Sequence, residues 1–175
     1  MAFSPELYAR ALEFAARAHA EQKTPKGQPY VVHLASVAME GIRALYAESG
    51  KDGDLLVACA LLHDTLEDTR TQEDEVLREF GPGVAAGVRA LTKNEKLPSR
   101  EKMGDSLKRI LQQPGEVAMV KLADRITNLA PPPPHWTAEK ISSYRKEGEE
   151  ILSALGGKSA FLSARFQERL GRYPR

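Results

Sequence analysis

An all-α bundle of about eight to nine helices is what this sequence predicts, on three observations. Apolar residues recur at three- and four-residue spacing through most of the chain. Clusters of proline, glycine and helix-capping side chains punctuate those stretches. Nowhere do apolar and polar residues alternate as a half-buried strand requires. With 175 residues, 42% of them hydrophobic, residues 1–175 read as one domain able to bury a core of its own.

Ser4-Pro5-Glu6 opens the first helix, the serine as cap and the proline at the first helical position. Its stripe of Leu7, Ala11, Phe14, Ala15 and Ala18, which His19 continues, carries it to about residue 21. The two prolines and the glycine of Lys23-Thr24-Pro25-Lys26-Gly27-Gln28-Pro29 then make a loop bearing two cations. A second helix is expected over 31–48, and the turn Gly50-Lys51-Asp52-Gly53 leads to a third. Residues 55–62 are apolar on every side, the pattern of a helix buried all round. Thr71 is expected to cap a fourth helix, which Gly81-Pro82-Gly83 separates from one ending near Thr92. After a charged loop, Ser99 is expected to cap a helix through Leu111, and Pro114-Gly115 breaks it before a helix over 117–129. Four consecutive prolines, 131–134, end that one. Helices over 137–155 and 160–170 complete the chain, the last expected to pack on the rest.

Composition excludes several classes of function. Lys and Arg (25) balance Asp and Glu (24), so a net charge of +1 gives no general attraction to nucleic acid or an anionic membrane. No apolar segment reaches the roughly 18 residues of a membrane span, and the first residues lack the basic and apolar parts of a secretory signal. A cytoplasmic location is the expectation. Cys59, the single cysteine, lies in an apolar run, where a buried, inert thiol is expected.

The chemistry concentrates where the apolar third helix meets His63-Asp64-Thr65-Leu66-Glu67-Asp68, four ionisable groups in six residues. Buried and unpaired, they would be costly, and a cation would offset that cost. Glu67 follows His63 by four residues and Asp64 by three, so a helix continuing through them brings all three to one face. Lys121, Asp124 and Asn128 form a second polar stripe on an otherwise apolar helix, and His33 stands among Tyr30, Val31, Val32 and Leu34. Two imidazoles and two carboxylates suit manganese, iron, zinc or another divalent ion. Taken singly, each group also fits a plain structural role, His33 as a bonded core histidine and Lys121 with Asp124 as a surface pair.

The order of His33, then His63-Asp64, then Asp124 resembles the HD superfamily of metal-dependent phosphohydrolases. Gly27-Gln28-Pro29-Tyr30-Val31-Val32-His33, Leu61-Leu62-His63-Asp64-Thr65-Leu66-Glu67-Asp68-Thr69, Phe80-Gly81, Leu91-Thr92-Lys93 and Val120-Lys121-Leu122-Ala123-Asp124-Arg125-Ile126-Thr127-Asn128-Leu129 resemble the hydrolase domain of RelA/SpoT alarmone enzymes. That likeness spans residues 8–155, and Pro98, Trp136 and Tyr144 are similar to the small stand-alone alarmone hydrolases. The resemblance implies that His33, His63, Asp64 and Asp124 hold one divalent metal ion, typically manganese. It implies that Glu67 and Asp68 are the catalytic acidic pair, with Asn128 close to the ribose and scissile phosphate. Lys23, Lys26, Lys96, Lys121 and Arg125 are candidate phosphate contacts by charge, and Tyr144 with Trp136 is a candidate border of a nucleoside pocket.

The implied partner is a small nucleotide; the oligomeric state is not indicated. The implied reaction removes the 3′-pyrophosphate from guanosine tetra- or pentaphosphate. Two departures bear on substrate: Gln22 stands where the family has a base-stacking arginine before the loop lysine, and Ala130 with prolines 131–134 replaces an arginine-containing continuation. An HD phosphohydrolase for another nucleotide (a dinucleotide 2′-phosphate or a nucleoside phosphate) and a non-catalytic nucleotide sensor are therefore the alternatives.

Overall fold

A computed structural model describes residues 3–174, and among them the chain forms helices and no strand. In order these are α1 (Pro5–Ala18), α2 (Val31–Ala47), α3 (Gly53–Leu62), α4 (Thr65–Asp68), α5 (Glu73–Leu91), α6 (Ser99–Leu111), α7 (Gly115–Asn128), α8 (Ala138–Leu155) and α9 (Ala160–Arg172), with a 3-10 turn over Gly156–Lys158. The all-α expectation holds.

α3 is the axis of the core. Leu56, Val57, Ala58, Cys59, Ala60, Leu61 and Leu62 are all fully buried, as an all-round apolar helix demands. Around α3 pack α1, α2, α5 and α7. Two glycines allow the closest approaches: Gly41 of α2 lies against Leu56, and a Cβ at Gly87 of α5 would stand 2.7 Å from the Cys59 sulfur. Asp52 caps α3, its carboxylate accepting from the Leu55 amide at 3.0 Å. α9 packs on α2, α7 and α8.

Several boundaries differ from expectation, each for a local reason. α1 ends at Ala18 rather than near residue 21 because the chain turns at His19 into a closed loop. Lys23 pairs with Pro29 across that loop, the Tyr30 amide donates to the Gln22 carbonyl at 3.0 Å, and Gly27 supplies the turn at φ 77°. The cap of α5 is Gln72, not Thr71, because Gln72 and Glu75 exchange side-chain and backbone bonds in a capping box. Gly81, at φ 83°, kinks α5 and Pro82 restarts it, so the expected separation exists as a kink. Ser99 begins α6 without capping it, and Pro98 is the flanking residue. Ser4, Thr137 and Ser159 do cap their helices, accepting from Leu7, Lys140 and Leu162 amides at 3.1, 3.2 and 3.1 Å.

The largest correction concerns α3, which stops at Leu62 instead of running through the acidic sextet. The Thr65 hydroxyl donates to the Leu62 carbonyl at 2.6 Å and the His63 ring bonds the Ala60 carbonyl at 2.8 Å, so side chains occupy acceptors that a continuing helix would use. Glu67 and Asp68 consequently sit on a separate short helix, α4.

Candidate metal centre and active-site cleft

Three helices deliver four side chains to one point: α2 brings His33, the end of α3 brings His63 and Asp64, and α7 brings Asp124. His33 Nε2 lies 3.8 Å from Asp64 Oδ2 and 3.5 Å from Asp124 Oδ1. His63 Nε2 lies 3.0 and 3.7 Å from the same two oxygens. Ligand atoms of His33, His63 and Asp64 all fall within 4.8 Å of one another.

The electrostatics of this cluster call for a cation. With His63 Nδ1 on the Ala60 carbonyl, its Nε2 is turned inward, buried and without a hydrogen-bond partner among the described residues. Burial opposes charge on His63, yet Asp64 and Asp124 outweigh it and raise the imidazole well above its usual value. Burial likewise opposes ionisation of Asp124, but Lys121, His33 and His63 hold its carboxyl well below the ordinary range. Asp64, also buried, is drawn down to about 2 by His63, with the Tyr30 hydroxyl helping. Orphaned nitrogen, two ionised carboxylates and N/O donors thus fit a borderline divalent ion.

Outer contacts orient these groups, as they do in metal sites generally. The Tyr30 hydroxyl donates to Asp64 Oδ2 at 2.6 Å, the Asn128 amide donates to Asp124 Oδ1 at 2.6 Å, and Lys121 Nζ donates to Asp124 Oδ2 at 3.3 Å.

Above the cluster opens a cleft of ≈ 480 Å³. Glu67 and Asp68 line it from α4, Lys121 and Asn128 from α7, and Trp136, Lys140 and Tyr144 from the opposite side. Lys93 places two donors on Glu67, its amide at 3.0 Å and its ammonium at 2.7 Å. Asp68 accepts from Gln22 at 2.9 Å; burial, with Asp64 and Glu67 adding to it, pushes its carboxyl up against that bond. The Arg125 guanidinium lies 4.1 Å over the Tyr144 ring and bonds the Tyr144 carbonyl and Glu147, each at 3.2 Å. Burial raises the Tyr144 hydroxyl to about 12, so it stays protonated near neutrality. Lys140 sits 5.4 Å over Trp136 and, among the described residues, has no carboxylate partner.

The fold therefore brings His33, His63, Asp64 and Asp124 together, with Glu67, Asp68, Lys121, Arg125, Asn128 and Tyr144 on the adjoining cleft. Lys23, Lys26 and Lys96 are exposed on loops and do not line it. Tyr30, Lys93 and Lys140 also line the cleft, although the sequence motifs do not single them out. Tyr30 was findable, since it precedes His33 by three residues; the Lys93 contact to Glu67 spans 26 residues and left no local signal.

Residues 11–160 match the family model described as HD domain. The chain belongs to the HD domain family. Among relatives of this HD domain is the human guanosine-3′,5′-bis(diphosphate) 3′-pyrophosphohydrolase MESH1, 34% identical over 84% of this chain and 83% of that protein. The guanosine-3′,5′-bis(diphosphate) 3′-pyrophosphohydrolase of Aquifex aeolicus is 36% identical over 83% of this chain, which spans only 20% of that longer protein. A solved structure described as a metazoan orthologue of SpoT that hydrolyses ppGpp superposes with a TM-score of 0.82 at 28% identity, covering 98% of each chain. No helix among the described residues of this HD domain is long and apolar enough to cross a membrane.

Proposed function

We propose that this HD domain protein is a metal-dependent hydrolase that removes the 3′-pyrophosphate of guanosine tetra- and pentaphosphate, yielding GDP or GTP and pyrophosphate. The observation that carries this is the convergence of His33, His63, Asp64 and Asp124 at a cleft of ≈ 480 Å³, a volume in the range of nucleotide-sized sites, beside Glu67 and Asp68. The choice of substrate follows the relatives that bear this activity in their names.

His33, His63, Asp64 and Asp124 would hold the ion, and manganese suits their mixed nitrogen and oxygen donors. A divalent ion, when bound, lowers the pKa of a coordinated water and polarises a phosphoryl oxygen. Glu67, its two oxygens anchored by Lys93, keeps further lone pairs with which to orient the attacking water and take its proton. The water oxygen bonds to the phosphorus next to the ribose 3′-oxygen, the bond between that phosphorus and the 3′-oxygen breaks, and the 3′-oxygen gains a proton. Asp68, whose carboxyl is pushed up by burial and by Asp64 and Glu67, is suited to give that proton. Asn128 and Lys121 steady Asp124 and face the phosphates from α7, while Lys140 offers an uncommitted cation.

Tyr144 and Trp136, with ring centroids 5.3 Å apart, form an aromatic wall for the nucleoside, which Arg125 backs. Lys23, Lys26 and Lys96 contribute at longer range by attracting the anion. A nucleotide substrate and a lone thiol both accord with a cytoplasmic location.

The test is product analysis on manganese-loaded protein given guanosine tetraphosphate. Equal amounts of GDP and pyrophosphate are expected. Turnover only of other phosphorylated nucleotides would assign the site to a different phosphohydrolase, and binding without turnover would make it a sensor.

A further inference from the structure

Behind Asp68, outside the cleft lining, runs a chain of bonded polar groups that the reaction as described does not use. His19, buried at the end of α1, places Nδ1 2.6 Å from Gln22 Oε1, and Gln22 Nε2 donates to Asp68 Oδ2 at 2.9 Å. Gln22, the residue set by resemblance in the place of a base-stacking arginine, is thus bonded at both ends of its amide.

The bond at Asp68 gives this chain its polarity. Gln22 Nε2 donates to Asp68 Oδ2, so the amide oxygen faces His19. That oxygen only accepts, so His19 carries its proton on Nδ1. His19 Nε2 is buried with no hydrogen-bond partner among the described residues, so the bond to Gln22 is the polar contact that orients the ring. The His19 ring is further fixed by stacking on Tyr30, centroids 4.9 Å apart and planes 27° from parallel, and Tyr30 in turn holds Asp64.

We propose that His19 and Gln22 are positioning residues that determine which oxygen of Asp68 carries the transferable proton. This rests on Asp68 acting as the proton donor to the 3′-oxygen. An N–H directed at Oδ2 makes that atom the acceptor, so the proton resides on Oδ1. Without Gln22 the carboxyl can rotate and present its proton in unproductive directions.

Gln22→Met keeps the length of the side chain and removes both hydrogen bonds. In the full, manganese-loaded protein it is expected to lower kcat by about 10- to 100-fold, the usual effect of losing an outer-shell partner, with KM and metal stoichiometry unchanged and Tm lowered modestly by the unpaired His19 Nδ1. In an Asp68→Asn background the same substitution should cost nothing more, because the two act as one unit. A normal kcat for Gln22→Met beside a crippled Asp68→Asn overturns the positioning role and leaves Asp68 in place. A fully active Asp68→Asn removes Asp68 from the chemistry and the proposal with it. Nitrogen NMR of the metal-free wild type reads the tautomer without any variant or turnover. The Nδ1–H form of His19 is expected, and an Nε2–H form contradicts the proposal.

Discussion

Glu67 and Cys59 show how differently two neighbouring parts of the chain use their side chains. Glu67→Gln can keep only one of the two contacts to Lys93, since its amide nitrogen cannot accept, and it removes the proton acceptor, so kcat should fall by about 10²- to 10⁴-fold, with one ion still bound per chain by metal analysis. Cys59 is buried on α3, and burial, with Asp52 and Glu116 adding to it, raises its thiol to about 12. Its native form should resist a thiol reagent at pH 8 and label fully once unfolded. The linkage sign follows: the folded chain keeps the thiol proton that the unfolded chain releases near 9.0, so stability is lost as pH rises from there towards 12. A Cys59→Ala variant should lack that component in urea melts taken across the same range. At this scale the sequence was legible where type and burial coincide, as in His33, His63, Asp64 and Asp124. It was silent on the Lys93 and Gln22 bonds because neither follows from helical spacing.

Helix packing and helix ends make separable demands. Gly87 of α5 faces α3 and α7 so closely that a Cβ would lie 2.7 Å from Cys59 Sγ and 3.1 Å from a Val117 methyl. Gly87→Ala should therefore destabilise the protein by about 1–3 kcal/mol through overpacking, measured as a lower urea midpoint. Ser159 is buried, caps α9 through the Leu162 amide and donates to Glu48 at 2.9 Å. Ser159→Ala should cost about 1–2 kcal/mol by the same measurement. Elements were read well where apolar spacing is long and regular. Their ends were read less well, because Thr71 and Gln72 compete for one cap and the Glu75 side chain decides between them. The break after Leu62 was missed for a related reason: Thr65 and His63 spend their side chains on backbone carbonyls, a choice that apolar periodicity does not record.

For the whole molecule, a net charge of +1 conceals a strongly polarised interior, in which Asp64 and Asp124 face two imidazoles where α2, α3 and α7 converge. An ion there ties three helices together, so metal should raise Tm and a chelator should lower it. At a free concentration of 100 times Kd the gain is about 2.7 kcal/mol by mass action. The measurement that bears most directly on this account is anomalous diffraction from crystals grown with manganese. One strong peak among His33 Nε2, His63 Nε2 and the carboxylates of Asp64 and Asp124 is predicted. Ordered manganese elsewhere, with none among those four side chains, would contradict it.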